Sequence, residues 1–260
     1  MDPGAKLVSP VPDHWPDVEV TIDFDPHSLC TEQFWGPDAA QFMLLGGGHT
    51  TVTRRPLHIE LTLPRTVSDE CVVQPHLAGS AATISAWLGR PSFHGGAFVW
   101  GGGAWIVLGE KGAGKSTTMG MLANRGIPVL TDDLAVYDDG LVLSGPRCVD
   151  LRQAAAEHLQ VGRDLGVVGT RERWRLDLGP CEVSAPLSGW VMLDWSDEIG
   201  VERIRPTDRL PTLAKHRSLQ LPWFPAPTLL DLASHPAWHW SRSRTWADAD
   251  KALDQLLARL

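Results

Sequence analysis

Cysteine is scarce in this 260-residue chain: four residues, Cys30, Cys71, Cys148 and Cys181, with no CxxC pair and no histidine at zinc spacing. That argues against a disulfide framework and a structural zinc site, and the four read as scattered small hydrophobes in a reducing, cytoplasmic compartment. A basic excess is also missing. Twenty-three Lys and Arg stand against 31 Asp and Glu, for a formal charge of -8, so neither nucleic acid nor an anionic membrane is an expected partner. The N-terminus, Met1 to Lys6, lacks a basic segment followed by an apolar one, so no signal peptide is expected. One long uncharged stretch, Pro91 to Gly109, is broken by six glycines and a histidine, and reads as a buried hairpin rather than a membrane span. Tyrosine occurs once beside twelve tryptophans, a balance to which no mechanism is assigned. There is no internal repeat and no long low-complexity tract. What is present, 43% hydrophobic and 21% charged residues, is enough to bury a core without cross-links.

Residues 1 to 16 carry four prolines and read as an irregular arm. Val18, Val20, Ile22 and Phe24, then Leu57, Ile59, Leu61 and Leu63, alternate with polar residues as half-buried strands do. Between them Gly46-Gly47-Gly48 divides two further strands, which predicts a small antiparallel sheet. Leu77, Ala81, Ile84 and Leu88 recur at helical spacing and stop before Gly89 and Pro91. A hairpin, Gly95 to Trp100 and Ala104 to Leu108, follows. Then come a helix from Ser116 to Arg125, a strand from Ile127 to Leu130, and strands Leu134 to Val136 and Leu141 to Leu143 about Asp138-Asp139-Gly140. Trp190 to Leu193 reads as a further strand, and Ala249, Leu253, Leu256, Leu257 and Leu260 share one face of a last helix that docks on the core. The division is a β-rich region with one helix over 1–90 and an α/β core with a C-terminal helix over 91–260.

Gly109-Glu110-Lys111-Gly112-Ala113-Gly114-Lys115-Ser116 matches G-x-x-x-x-G-K-[ST], placed after a strand and before a helix. Glycines let backbone N–H groups turn toward phosphate oxygens, and the helix N-terminus adds partial positive charge. Residues Gly109 to Ser116, with Thr117 beside them, are the expected nucleotide-binding set. Lys115 would reach the β- and γ-phosphates, and Ser116 would take one position on Mg²⁺. The bland alternative is a glycine-rich turn that binds nothing. Asp132 and Asp133 leave an apolar strand shortly after that helix, at a Walker-B-like position. In a parallel arrangement the C-terminal ends of neighbouring strands share an edge, so one carboxylate can hold Mg²⁺ while the other takes a proton; the alternative is a solvated turn, as expected for Asp138-Asp139. His94 precedes the hairpin that delivers the loop, and can assist an aspartate near the γ-phosphate.

In this order and at these distances, His94-Gly95, the hairpin, Gly109 to Ser116, Arg125-Gly126 and Asp132-Asp133 resemble the HPr kinase/phosphorylase superfamily, over about residues 92–150. The resemblance implies an α/β fold with a P-loop core related to phosphoenolpyruvate carboxykinase, of mixed sheet and helices, behind the small N-terminal β-rich region. It implies ATP and Mg²⁺ as cofactors, and roles for Lys115, Ser116, Asp132, Asp133 and His94 in phosphorylating a serine hydroxyl. Thr117 stands where the bacterial HPr enzymes carry glutamate, and their Glu-Arg-Gly-Leu-Gly-type signature is absent. The chain is more similar to divergent HPr kinase-like proteins, including those that phosphorylate precursor peptides of natural products. The expected partner is therefore a peptide or protein with an acceptor serine, and the family's closed oligomers imply a homo-oligomer. A small hydroxylated metabolite as acceptor, or a non-enzymatic ATP-binding module, are the competing readings. Arg147, after Gly145-Pro146, is similar to a phosphate or substrate contact of those relatives; the alternative is a surface arginine after a turn. Leu221 to Pro225 and Trp238 to Trp246, with Arg242 and Arg244, are read as an aromatic and basic surface for a peptide, with core or interface packing of the tryptophans as the alternative.

Overall fold

Alternating apolar residues across 39–63 produce three paired strands in the computed structural model, which describes residue 7 and residues 15–28, 32–221 and 226–260. Most of the expected N-terminal arm, Cys30 and residues 222–225 lie outside the described residues. Strands β1 (Glu19–Phe24), β2 (Phe34–Trp35), β3 (Ala39–Met43), β4 (His49–Arg54) and β5 (Leu57–Leu63) form a sheet in the order β1-β5-β4-β3-β2. A short turn of helix α1 (Asp69–Cys71) leads through a kinked segment, Val72–His76, into helix α2 (Ala78–Trp87). Ile84 and Trp87 of α2 pack with Ala40, Phe42, Val52, Ile59 and Leu61.

Two expectations for this region are corrected. The sheet is not wholly antiparallel, because β1 runs parallel to β5. Nor is β1 half-buried: all six of its residues are exposed. Helix α2 lies over β4, so the alternation of Val20, Ile22 and Phe24 continues the inner face beyond the layer that covers it.

The larger sheet holds β6 (Ser92–His94), β7 (Gly96–Trp100) and β8 (Gly103–Leu108), then helix α3 (Lys115–Asn124), β9 (Val129–Thr131), β10 (Leu134–Asp138) and β11 (Leu141–Leu143). A small sheet follows, with β12 (Cys148–Leu151), helix α4 (Gln153–Leu159), β13 (Arg163–Val168) and β14 (Arg171–Asp177). The chain returns to the large sheet as β15 (Ser184–Trp195) and β16 (Gly200–Arg203), crosses in helices α5 (Pro206–Lys215) and α6 (Ala226–Ser234), adds β17 (Ala237–Arg242), and ends in α7 (Ala249–Leu257). The main order is β6-β10-β11-β15-β8-β7-β9, with β17 on β15 and β16 on β17.

Every residue of β8 is buried, as a central strand covered on both faces requires. Trp105 and Val107 face a core shared with Met119 and Leu122 of α3 and Leu253 and Leu256 of α7. Ile106 and Leu108 face the opposite core, with Leu213 of α5 and Leu232 of α6. The architecture is thus a mixed α/β sheet with helices on both faces. No described helix is long and apolar enough to cross a membrane.

The topology also corrects how the two carboxylates reach the glycine loop. Strands β8 and β9 point the same way, but β7 lies between them, antiparallel to both. The shared edge survives because two reversals restore the direction.

Candidate active site

The loop after β8 is braced from behind by residues far along the chain. Gly112 and Gly114 take φ of 84° and 90°, a region open to glycine at little cost. Trp195 Nε1 donates to Gly112 O at 2.9 Å, and Arg242 Nη2 donates to Ala113 O and Gly114 O, each at 3.0 Å. The Arg242 guanidinium lies 4.4 Å from the Trp195 ring centre and 5.2 Å from that of Trp240. Its pKa falls to about 10 because burial disfavours the charged form. The expected peptide-binding surface around Trp238 to Trp246 is therefore corrected in part: Trp240 and Arg242 are buried and serve as loop supports, and Trp246 stacks on His158.

A Cβ built at Gly114 would meet Arg242 Nη2 at 2.0 Å. Gly114→Ala is expected to destabilise the chain by about 1–3 kcal/mol through left-handed strain and displacement of that guanidinium. Denaturant unfolding should show the loss as a lower midpoint at unchanged slope, and an unchanged midpoint would show that the brace does not shape the loop.

Lys115 begins α3, and its first-turn N–H groups have no intrahelical acceptor. Its Nζ donates to Gly109 O at 2.8 Å and Glu110 O at 3.2 Å, folding the side chain over its own loop. Burial lowers its pKa, opposed by the charges of Asp132, Asp133 and Glu110. Glu110, fully exposed, pairs with Lys215 at the end of α5, which lowers the Glu110 pKa through that hydrogen bond. Lys111 is exposed, and Ser116 and Thr117 are half-buried.

Asp132 and Asp133 leave β9 into different surroundings. Asp132 is buried, and its carboxyl is pushed up to about 7, first by desolvation and then by the Asp133 charge, against a hydrogen bond from Ser116. Its Oδ1 is buried without a hydrogen-bond partner. Asp133 takes φ of 77° and turns toward the surface, its side chain 33% exposed. His94 reaches it because β6 pairs antiparallel with β10, setting His94 opposite Leu134. His94 Nδ1 lies 3.1 Å from Asp133 O and 3.2 Å from Asp133 Oδ1. Loop lysine, serine, both aspartates and the histidine thus meet at one sheet edge.

Other neighbours were not foreseen. Gln74 Nε2 donates to Asp133 Oδ2 at 3.2 Å, from a segment that carries no local motif. His216 accepts the His94 backbone N–H at its carbonyl, at 3.2 Å; burial lowers its pKa, while the Glu110 charge raises it and those of Lys215, Lys115 and His94 lower it further. The Arg171 charge reaches Asp132. Arg147 is corrected: it is buried, donating Nη1 to Val129 O and Leu130 O at 2.9 Å each, and Nη2 to Gly179 O at 2.8 Å. It holds the strand that delivers the aspartates and is committed to backbone carbonyls rather than to a ligand. Asp138, expected as solvated, pairs with Arg90 at 2.7 Å.

No family model and no curated protein matches this sequence. Among solved structures, the Hpr(Ser) kinase/phosphatase from Coxiella burnetii is similar at 11% identity with a TM-score of 0.30, over 65% of this chain and 93% of that one.

Proposed function

We propose that this chain transfers the γ-phosphoryl group of ATP to a hydroxyl, that of a serine in a peptide or protein. The observation that carries the reading is the contrast between two adjacent carboxyls beside the glycine loop: Asp132 buried with an orphaned oxygen next to Ser116, Asp133 half-exposed beside His94. The loop amides and Lys115 hold the phosphates, with Lys115 releasing the two loop carbonyls to do so. The Ser116 hydroxyl and the Asp132 carboxylate are hard oxygen donors suited to Mg²⁺, and the unpartnered Asp132 Oδ1 supports that fit. Magnesium held there supplies charge neutralisation for the phosphates.

Asp133 acts as the base. The acceptor oxygen attacks the γ-phosphorus, a new O–P bond forms as the bond to the bridging oxygen breaks, ADP leaves, and the acceptor proton passes to the Asp133 carboxylate. His94, 54% exposed at its side chain, orients that carboxylate. The exposure of both groups supports an acceptor hydroxyl carried on a chain that lies across the surface. Stabilisation is mainly positioning and electrostatics, which loop, lysine and carboxylates supply.

The test is incubation with γ-labelled ATP, Mg²⁺ and serine-containing peptides encoded beside the gene, read by mass. Transfer to a peptide serine is expected. Lys115→Ala should lower it about 10²–10³-fold through lost charge stabilisation, and Asp133→Asn should reduce kcat with nucleotide affinity retained. His94→Ala should cost less than Asp133→Asn, since His94 acts beside the base. Tight ATP binding with no labelled peptide would point to a metabolite acceptor or a non-enzymatic module, and wild-type turnover in Asp133→Asn would remove the base.

A further inference from the structure

Asp133 is gripped from two sides by parts of the chain that are distant in sequence. His94 Nδ1 lies 3.2 Å from Oδ1, and Gln74 Nε2 lies 3.2 Å from Oδ2. An ionised carboxylate only accepts hydrogen bonds, so the amide must present its nitrogen to it. Gln74 is 5% exposed, so water reaches the bond only from the Asp133 side, whose side chain is 33% exposed.

The backbone of Gln74 explains how it reaches the site. It is extended, φ -141° and ψ 117°, within an otherwise helical segment. Its carbonyl accepts from Arg175 Nη2 at 2.6 Å, and the same guanidinium donates Nη1 to Glu70 O at 2.9 Å. Arg175 is in turn held by Asp150, through Nε at 2.8 Å and Nη2 at 3.0 Å. A buried ion pair beneath the small sheet therefore fixes the segment that carries Gln74.

We propose that Gln74 is a positioning residue for phosphoryl transfer: its side-chain amide pins one oxygen of Asp133 so that the other faces the incoming hydroxyl. The proposal rests on the kinase reading. Asp133 leaves a tight left-handed turn, and its half-exposed side chain has rotational freedom unless a second donor removes it. Proton acceptance needs the carboxylate within hydrogen-bond reach of the acceptor oxygen at the right angle, and an amide on the far oxygen supplies that angle without adding charge. The N-terminal region is thereby a working part of the site.

Two measurements test this. In Gln74→Met, which keeps the length of the side chain and removes the donor, kcat is expected to fall roughly 10–100-fold, the scale of a 1 Å misplacement, while KM for ATP stays within about twofold because the loop is untouched. In the otherwise intact chain, the Gln74 side-chain amide resonance is expected to shift in Asp133→Gly, a variant that tolerates the left-handed backbone. This second readout stands even if Gln74→Met folds poorly. Wild-type kcat in a folded Gln74→Met, a parallel rise in KM, or an amide resonance indifferent to Asp133→Gly would each overturn the proposal. A wild-type chain that transfers nothing, with the amide shift intact, would overturn the kinase reading and the catalytic role together while leaving the contact in place.

Discussion

Asp132→Asn is expected to raise the melting midpoint of the nucleotide-free chain at pH 8 while removing phosphoryl transfer. The Asp132 carboxyl is pushed from an ordinary value of 3.8 to about 7, first by desolvation and then by Asp133. Its folded pKa lies above its unfolded one, so the folded state holds the proton more tightly. That stability is fully present below the unfolded value of 3.8 and is lost as pH rises from there through about 7. Above that, the ionised group opposes folding by on the order of 3–4 kcal/mol. Asparagine removes the charge but leaves a buried amide short of partners, a loss of about 1–3 kcal/mol. A net gain of about 1–2 kcal/mol corresponds to roughly 2–8 °C at this chain length. The gain should shrink toward zero at pH 5, where only the unfolded carboxyl is ionised, and reverse below about pH 4, where the carboxyl is neutral in both states. With Mg²⁺ and nucleotide the order should reverse, because wild type alone gains from the metal. Transfer should fall roughly 10³-fold or more, given that a metal supplies several kcal/mol to the transition state. Equal midpoints at pH 8 would mean that Asp132 carries no buried charge.

Asp150→Ala is expected to be the most destabilising single change in the interior. Asp150 is 2% exposed and binds Arg173 Nη1 at 2.9 Å as well as Arg175 through two nitrogens. The two arginines respond oppositely. Burial lowers both, but the hydrogen bonds that Arg175 donates to Asp150 overcome it there, and the Arg175 pKa is raised. Arg173 donates one such bond, is repelled by Arg171, and stays lowered. Removing Asp150 leaves two buried guanidiniums, Arg175 with Glu70 at 3.8 Å and Arg173 with the charge of Asp133. Breaking a buried pair in this way costs about 3–5 kcal/mol, which denaturant unfolding would register as a lower midpoint at unchanged slope. A triple replacement of Asp150, Arg173 and Arg175 by leucine or methionine is expected to recover much of that loss, since apolar packing can replace an ion triad. It should not recover transfer, because the carbonyl of Gln74 would still lack its anchor. A loss under about 1 kcal/mol in Asp150→Ala would show that the network is solvated.

The site was legible where its chemistry is local. Loop 109–116 stands out because a strand, a glycine turn and a helix start are contiguous, and Asp132 and Asp133 because they end an apolar strand a short helix later. The sequence leaves Arg147 open between a ligand contact and a surface arginine, and Arg242 open between a substrate contact and packing, because basic residues beside turns and tryptophans look the same whether they face solvent or backbone. The structure turns both inward, Arg147 onto the carbonyls of β9 and Arg242 onto those of the glycine loop. Gln74 had no signal, since a lone glutamine before a proline marks nothing until a distant arginine fixes its carbonyl. The alternation of β1 was real, but periodicity names a face and does not say that anything covers it.

The glycine loop after a strand, the carboxylate pair at the end of another and the strands and helices that carry them can be read from the sequence alone, because each depends on residues within a few positions of one another. Only the tertiary structure decided that β7 separates β8 from β9, that the two aspartates sit in unlike surroundings, and that Gln74, Arg242 and the Asp150 network support them. Those depend on which apolar faces and which buried charges meet across long stretches of chain, and burial sets the energy of a charge only once its neighbours are in place.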